Sequence, residues 1–462
     1  MKLKKISLYG LFGLFDHVLP LQENERITII HAPNGFGKTT ILKLIHAFYS
    51  GNELEILNTP FTRMVLDFDD GGSLAINKEK TNSPEEGEKA KEHAEGLPLK
   101  ERLSYSYNRA DGKTLKYVPR FNMENIKKIL LNIIEDVSND DDPFNDYIAR
   151  YNNIFDDPAS AYNLLSKKAP ELDMQPEWLI KLRSQIPVRY IASQRLYQSR
   201  RVDRQQKKQG GHERSSYIEP SVMVYSENIK DIVNEQLSKY AELSEKLDRT
   251  FPSRLAQKMM DFTLDKISSN EILGQEETIS HLKELEERRT RLIEVGLLDK
   301  GTSTPVPITE KMEDHTRLVL SMYISDTRLK LAVFDGIEKK INLMRNIINK
   351  QFINKKLVID KDRGFMLQMP DGSLLSPDKL SSGEQHELVL NYDLLFNSRP
   401  GSLILIDEPE ISLHIMWQQS FIRDLKEISR LSDLDILIAT HSPQIIDDFW
   451  DLTVELKGAK VC

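Results

Sequence analysis

A β-branched run, Ile27-Thr28-Ile29-Ile30, leads through His31-Ala32-Pro33-Asn34 into Gly35-Phe36-Gly37-Lys38-Thr39-Thr40. Apolar residues then recur at Ile41, Leu42, Leu44, Ile45 and Phe48. The first run reads as a buried strand and the second pattern as a helix. Strand, glycine turn, Lys-Thr and helix in that order make a phosphate-binding loop. Backbone N–H groups of the turn and of the helix N-terminus converge on an anion. Gly35 and Gly37 lack a Cβ, so the backbone can take unusual angles and approach phosphates closely. In such a loop Lys38 reaches the β- and γ-phosphates of ATP and the Thr39 hydroxyl holds Mg²⁺. Ala32 stands where the pattern G-x-x-x-x-G-K-[ST] has its first glycine, while the inner glycines and Gly-Lys-Thr are kept. The alternative is an ordinary glycine turn, which gives a lysine followed by two threonines no packing purpose.

With 462 residues the chain has room for about two or three domains. A net charge of -8 excludes a polycation, so any nucleic-acid contact needs a local basic patch. The only cysteine, Cys462, excludes a disulfide framework and a cysteine-based zinc site and fits a reducing cytosol. No signal peptide and no window of about 18 apolar residues is visible, so a cytoplasmic protein that does not cross a membrane is expected.

Upstream of the loop, Lys2 to Leu8 reads as an edge-forming strand. In Leu11-Phe12-Gly13-Leu14-Phe15, either Phe12 or Phe15 could stack on adenine or pack in the core. Hairpins are expected at Arg63–Phe68 with Ser73–Asn77, and at Leu103–Tyr107 with Thr114–Val118. Lys78 to Arg102 reads as a solvated loop. Asn122 to Val137 reads as a helix, followed by the acidic run Asp140 to Asp142, where a solvated loop is favoured over a metal site. Pro187 to Arg195 is a strand ending in Gln194 and Arg195; ligands in open α/β sheets lie beyond strand C-termini, so Gln194 is a candidate Mg²⁺ or water contact.

The segment from Tyr197 to Ser215 carries Arg200, Arg201, Arg204, Lys207, Lys208 and Arg214. This basic loop, Arg195 to Arg214, could track a DNA backbone, dock an acidic protein or stay solvated. From Glu227 to about Lys350 helical spacing dominates. The helices read as too short for a long coiled coil and as a compact helical subdomain rather than a protruding arm. A hairpin is expected at Leu357–Asp360 with Phe365–Met369.

Two further stretches carry chemistry. Lys379-Leu380-Ser381-Ser382-Gly383-Glu384-Gln385 opens a helix that Ser381 or Ser382 can cap. The same helix start could grip a γ-phosphate. Leu403-Ile404-Leu405-Ile406-Asp407-Glu408 is an unbroken aliphatic strand ending in two acids, a costly place for charge unless the acids act. Asp407 can hold Mg²⁺, and Glu408 can orient or deprotonate the water attacking the γ-phosphate. Asp435 to Thr440 is another buried strand, ending at His441, which can contact that phosphate.

Together these segments resemble the ABC-type ATPases, in the branch that includes SMC, RecF-like and OLD-family proteins. The resemblance rests on Asn34-Gly35-Phe36-Gly37-Lys38-Thr39-Thr40 (Walker A), Gln194 (Q-loop) and Leu380-Ser381-Ser382-Gly383-Glu384 (signature). It continues through Leu403 to Glu408 (Walker B), Glu410-Ile411-Ser412-Leu413-His414 (D-loop) and His441 (switch). Ser382 and Glu384 replace the Gly and Gln of transporter signatures. The resemblance implies an α/β P-loop NTPase head with N-terminal antiparallel β elements and a helical insertion. It divides the chain into 1–225, 226–350 and 351–462, the middle part being the insertion. It also implies ATP and Mg²⁺ as ligands, and two heads that sandwich two nucleotides with Ser381 and Gly383 acting in trans to Lys38.

The segment Asp407 to His414 further resembles the stand-alone ATPases of bacterial anti-phage systems of the Septu and PARIS kinds. About 20 residues follow His441, too few for a nuclease domain. The expectation is therefore an ATPase without a nuclease domain of its own, pairing with itself and gating a separate effector, such as a nuclease, in anti-phage defence. The alternatives are a DNA-repair ATPase acting directly on DNA and an ATP-locked scaffold that stores an effector.

Overall fold

The computed structural model describes residues 1–80, 101–119, 175–192, 195–203, 214–263, 273–299, 312–411 and 413–458. The expected helix at Asn122–Val137, the acidic run at Asp140, Gln194, the middle of the basic segment and Ser412 lie outside those residues.

Along the chain the elements are β1 (Leu3–Leu11), β2 (Phe15–Pro20), β3 (Ile27–His31), α1 (Lys38–Ser50), α2 (Glu53–Asn58), β4 (Arg63–Phe68) and β5 (Ser73–Lys80). They continue with β6 (Glu101–Asn108), β7 (Thr114–Tyr117), α3 (Glu177–Gln185), β8 (Val188–Ile191), β9 (Tyr197–Asp203) and β10 (Arg214–Pro220). Next come α4 (Ser221–Thr263), α5 (Gln275–Glu294), α6 (Asp314–Ala332), α7 (Asp335–Gln351), β11 (Lys356–Asp360), β12 (Gly364–Gln368), β13 (Leu374–Leu375) and α8 (Ser382–Tyr392). The last are β14 (Leu403–Asp407), α9 (Ile415–Gln418), α10 (Phe421–Ser432), β15 (Asp435–Thr440), α11 (Pro443–Ile446) and β16 (Thr453–Glu455).

The chain divides into two compact units. The first comprises Met1–Arg195, Ser199–Ile218 and Asn397–Cys462. It holds an antiparallel sheet in the order β2-β1-β4-β5-β6-β7 and a parallel sheet in the order β16-β3-β15-β14-β8. In the parallel sheet every residue of β14 is buried, as are Ile27 to Ile30 of β3, the pattern of strands covered on both faces. Asp407 pairs with Ala439 and Thr440 with His31, so the C-terminal ends of β14, β15 and β3 sit at one edge. Helix α1 packs on β8, β14 and β15. Its inward residues Ile41, Leu42, Leu44, Ile45 and Phe48 join Leu8, Leu11, Leu66, Leu405 and Leu437 in one core. Each such side chain stabilises by about 1.5–3 kcal/mol. Gly51 in the left-handed conformation ends the helix.

β1 is not an edge strand: it pairs with β2 on one side and β4 on the other. Its buried Leu3, Ile6, Ser7, Leu8 and Leu11 need cover that an edge would not provide. The expected loop also shortens at both ends, because Lys78 pairs with Leu103 and Lys80 with Glu101 in the extended β5–β6 ladder.

The second unit, Leu196–Gln198 and Glu219–Phe396, holds helices α4 to α8 and the sheet β11-β12-β13. α4 is 43 residues long, about 64 Å at ~1.5 Å per residue, which overturns the reading of short helices. Regular apolar spacing fades after Leu247, yet the helix continues through Pro252 to Thr263. Proline cannot donate to the preceding turn. There Thr250 Oγ1 donates to the Lys246 and Leu247 carbonyls, and Arg254 Nη2 donates to Leu247 O at 3.1 Å. Arg254 also grips Asp326 of α6 with two bonds, 2.9 and 2.6 Å. The basic segment Tyr197–Ser215 is not all loop either: β9 and β10 form a two-stranded sheet.

Candidate functional site

The turn between β3 and α1 has φ of +88° at Gly35 and +85° at Gly37. A Cβ on Gly37 would lie 2.5 Å from Leu11 Cδ2, so this position needs glycine for space as well as for conformation. Ala32 is not among the positive-φ residues, which explains why the loop tolerates it in place of glycine. The first intrahelical bond of α1 runs from Ile41 N–H to Gly37 O, and no side chain caps the helix. The N–H groups of Lys38, Thr39 and Thr40 therefore have no partner within the helix. Lys38 is 4% exposed, with Nζ donating to Ala32 O (2.8 Å) and Pro33 O (3.1 Å). Burial pushes its pKa down, opposed by the carboxylates of Glu408, Glu410 and Asp407.

Asp407 ends β14. Thr39 Oγ1 donates to its Oδ1 at 3.0 Å, and Tyr190 Oη, from β8, donates to its Oδ2 at 2.9 Å. Burial and then the Asp407 charge push the Tyr190 hydroxyl well above the ordinary tyrosine range, so it stays a donor. Glu408 follows with φ of +44°, a conformation rare outside glycine, and its N–H is held by Ala439 O at 2.9 Å. Among the described residues no donor pairs with the Glu408 carboxylate.

His441 follows β15 and is 45% exposed at its side chain. Its Nδ1 lies 3.0 Å from Glu410 Oε1. The same oxygen accepts from the Thr440 hydroxyl (2.7 Å) and from the His441 N–H (2.9 Å). Glu410 thus fixes both the backbone turn and the ring of His441, leaving Nε2 as the second ring nitrogen. Glu410 Oε2 is buried without a partner among the described residues.

Lys38, Thr39, Asp407, Glu408 and His441 all lie at the C-terminal edge of the parallel sheet, where open α/β sheets bind ligands. Ser381, Ser382, Gly383 and Glu384 belong to the second unit, at the start of α8. Ser381 is the N-cap: its Oγ accepts from Glu384 N–H and donates to Glu384 Oε2, and Ser381 N–H donates to the same carboxylate oxygen. Lys355 Nζ sits 2.7 and 2.9 Å from the two oxygens of Glu384.

Tyr190 and Glu410 are site residues that motif reasoning did not single out. A tyrosine inside a strand carries no motif, and Glu410 was visible only as part of the D-loop. Of the two candidate aromatics, Phe15 stacks between His17 (5.6 Å) and Phe36 (5.4 Å), whereas Phe12 is 42% exposed with φ of +54°.

The donor set fits a nucleotide with Mg²⁺. Uncapped N–H groups and a buried ammonium are donors suited to an anion, and a hydroxyl joined to a carboxylate offers two oxygen ligands. Among the described residues there is no cluster of three or more His, Cys, Asp or Glu side chains fit for an all-protein metal site. Among the described residues no helix is long and apolar enough to cross a membrane.

The sequence matches the AAA ATPase domain family over residues 1–446, and the chain belongs to that family. It is an ATPase of the P-loop type. Among solved structures, the chain is similar to the SMC head domain from Thermotoga maritima: 11% identity, 99% of this chain and 95% of that one covered, TM-score 0.33. It is also similar to the Smc head domain with an extended coiled coil bound to the C-terminal domain of ScpA, from Pyrococcus furiosus. There identity is 13%, coverage 96% and 91%, and the TM-score 0.30. No curated protein matches the chain.

Proposed function

We propose that the protein binds Mg·ATP in the loop of Gly35 to Thr40, pairs head to head with a second copy, and uses slow hydrolysis to gate a separate effector. The observation that carries the nucleotide reading is the Thr39–Asp407 link beside an uncapped helix start. Lys38 neutralises the β- and γ-phosphates. Thr39 and Asp407 would hold Mg²⁺, which would offset phosphate charge. Tyr190 keeps Asp407 turned toward Thr39. Glu408, with no donor pairing its carboxylate among the described residues, accepts the proton of the attacking water or orients it. Glu410 aims His441, which contacts the γ-phosphate and reports its loss.

Ser381 and Gly383 are assigned to the nucleotide of the other copy, as the resemblance to SMC-like heads implies. The effector and its setting, a nuclease in anti-phage defence, follow from the likeness of Asp407–His414 to stand-alone defence ATPases; this is analogy at the level of family. Phe12, exposed beside Gly37, is the better candidate for stacking on adenine.

The test is a Glu408→Gln variant with Mg·ATP, followed by light scattering and by co-purification with the product of the neighbouring gene. The proposal expects an ATP-dependent dimer that retains the partner and hydrolyses at least about 100-fold more slowly. A monomer at saturating Mg·ATP contradicts the pairing. Hydrolysis stimulated by duplex DNA with no protein partner favours direct action on DNA.

A further inference from the structure

His17 lies on β2, is 2% exposed, and has no part in the chemistry assigned above. Its Nε2 is 3.1 Å from the carbonyl oxygen of Phe36, in the middle of the phosphate loop. A carbonyl only accepts, so Nε2 carries the proton. Nδ1 is buried with no partner among the described residues, leaving the Phe36 bond as the ring's one polar anchor. Phe15 stacks on both His17 and Phe36, clamping the imidazole and the loop residue together.

The bonded peptide lies between the two glycines of the loop. It joins Phe36 to Gly37, and Gly35 precedes it; both glycines have positive φ. Glycine accepts either sign of φ at little cost, so the Gly37 backbone by itself does not fix which way this peptide points. A trans peptide is planar, and its C=O and N–H point in opposite directions. Holding the Phe36 carbonyl toward His17 therefore turns the Gly37 N–H, next in the chain to the free N–H groups of α1, away from the imidazole. Burial keeps the ring neutral by pushing its pKa below the ordinary histidine value, against the Phe36 carbonyl and the Asp16 carboxylate.

We propose that His17 is a positioning residue of the phosphate loop: its Nε2–H locks the Phe36–Gly37 peptide so that the Gly37 N–H faces the nucleotide's phosphates. The inference rests on the nucleotide reading of that loop.

The test compares His17→Phe, which keeps a stacking ring without a donor, with His17→Gln, whose amide nitrogen reaches about as far as Nε2. Calorimetric titration with Mg·ADP and Mg·ATP should show His17→Phe weakened roughly tenfold for both nucleotides, as expected for a lost hydrogen bond and a misdirected donor. His17→Gln should stay within about threefold of wild type. KM should rise in His17→Phe while kcat at saturating ATP holds, a split that general loss of packing would not produce. Nitrogen-15 shifts of His17 in the wild-type protein should report the Nε2–H tautomer, a readout that needs no variant to fold. Unchanged affinity in His17→Phe, equal losses in both variants, or an Nδ1–H tautomer would each overturn the proposal while leaving nucleotide binding intact. A wild-type protein that bound neither nucleotide would overturn both readings.

Discussion

Two helices of this chain start at residues suited to anions, and they start differently. Helix α1 begins after Gly37 with no side-chain cap, so its first N–H groups are left for a ligand. Helix α8 begins after Ser381 with a complete capping box, and Lys355 neutralises the Glu384 that closes it. The first arrangement leaves the donors of its first turn without a capping partner. The second is satisfied within its own unit, so recruiting Ser381 to a phosphate means exchanging one set of hydrogen bonds for another. Lys38 is likewise held by carbonyls of its own loop, Ala32 and Pro33, so the contrast between the two starts lies in the uncapped first turn of α1.

The largest effect should come from the uncapped start. Lys38→Ala removes the buried ammonium, and phosphate release should fall by about 10³ or more, in the range of losses from deleting charge stabilisation at a reacting phosphoryl group. Activity within tenfold of wild type would mean that the α1 loop is not where ATP reacts. Next is Tyr190→Phe. Loss of a hydrogen bond to a charged acceptor costs about 1.5–3 kcal/mol, and here it should appear as a raised Mg²⁺ requirement, roughly tenfold or more, at unchanged fold. An unaltered Mg²⁺ titration would reduce Tyr190 to a packing residue.

Ser381→Ala sharpens the comparison because it separates two roles. Loss of the cap alone costs about 1 kcal/mol and should lower the melting temperature by a few degrees. If Ser381 also serves a second copy's phosphate, hydrolysis should fall by far more than that stability loss explains. A melting shift with normal turnover would confine Ser381 to capping.

The smallest effects are in pH. The donors Lys355 and Ser381 outweigh burial and hold the Glu384 carboxyl below its ordinary pKa of 4.5. Its folded pKa is the lower one, so its contribution is present above pH 4.5 and is lost as pH falls through the folded value. His17 has the same sign at a different place. Burial lowers its pKa from 6.5, so the unfolded chain takes up a proton first, and stability declines as pH drops below 6.5. Melting curves of wild type and His17→Gln between pH 7.5 and 5.5 should diverge only toward the acid end.

Much of this site could be read from the chain because its residues sit where local patterns are strongest. Ile27 to Ile30 and Leu403 to Ile406 are strands so apolar that the acids and glycines ending them stand out. The links between those segments were not visible. Thr39 meets Asp407 across 368 positions of sequence, and Tyr190 reaches the same carboxylate through strand order alone. β1 reads as an edge because its N-terminal residues alternate only loosely; pairing on both sides is set by distant β4. The length of α4 escaped the periodicity because its last turns expose Met259 and Met260 instead of an apolar stripe. Glu410 is legible only as the first residue of the D-loop stretch, and only the fold of β15 against its segment brings Thr440 and His441 onto one of its oxygens.

The central claim, that α1 and α8 of different copies complete one nucleotide site, is tested most directly by mixing two inactive proteins. Lys38→Ala and Ser381→Ala variants, each near background alone, would form dimers in which one site regains both an intact loop and an intact Ser381. Equal mixing should restore roughly a quarter of wild-type phosphate release, since half the dimers are mixed and each carries one whole site. Activity no higher than the average of the two separate variants would contradict the claim.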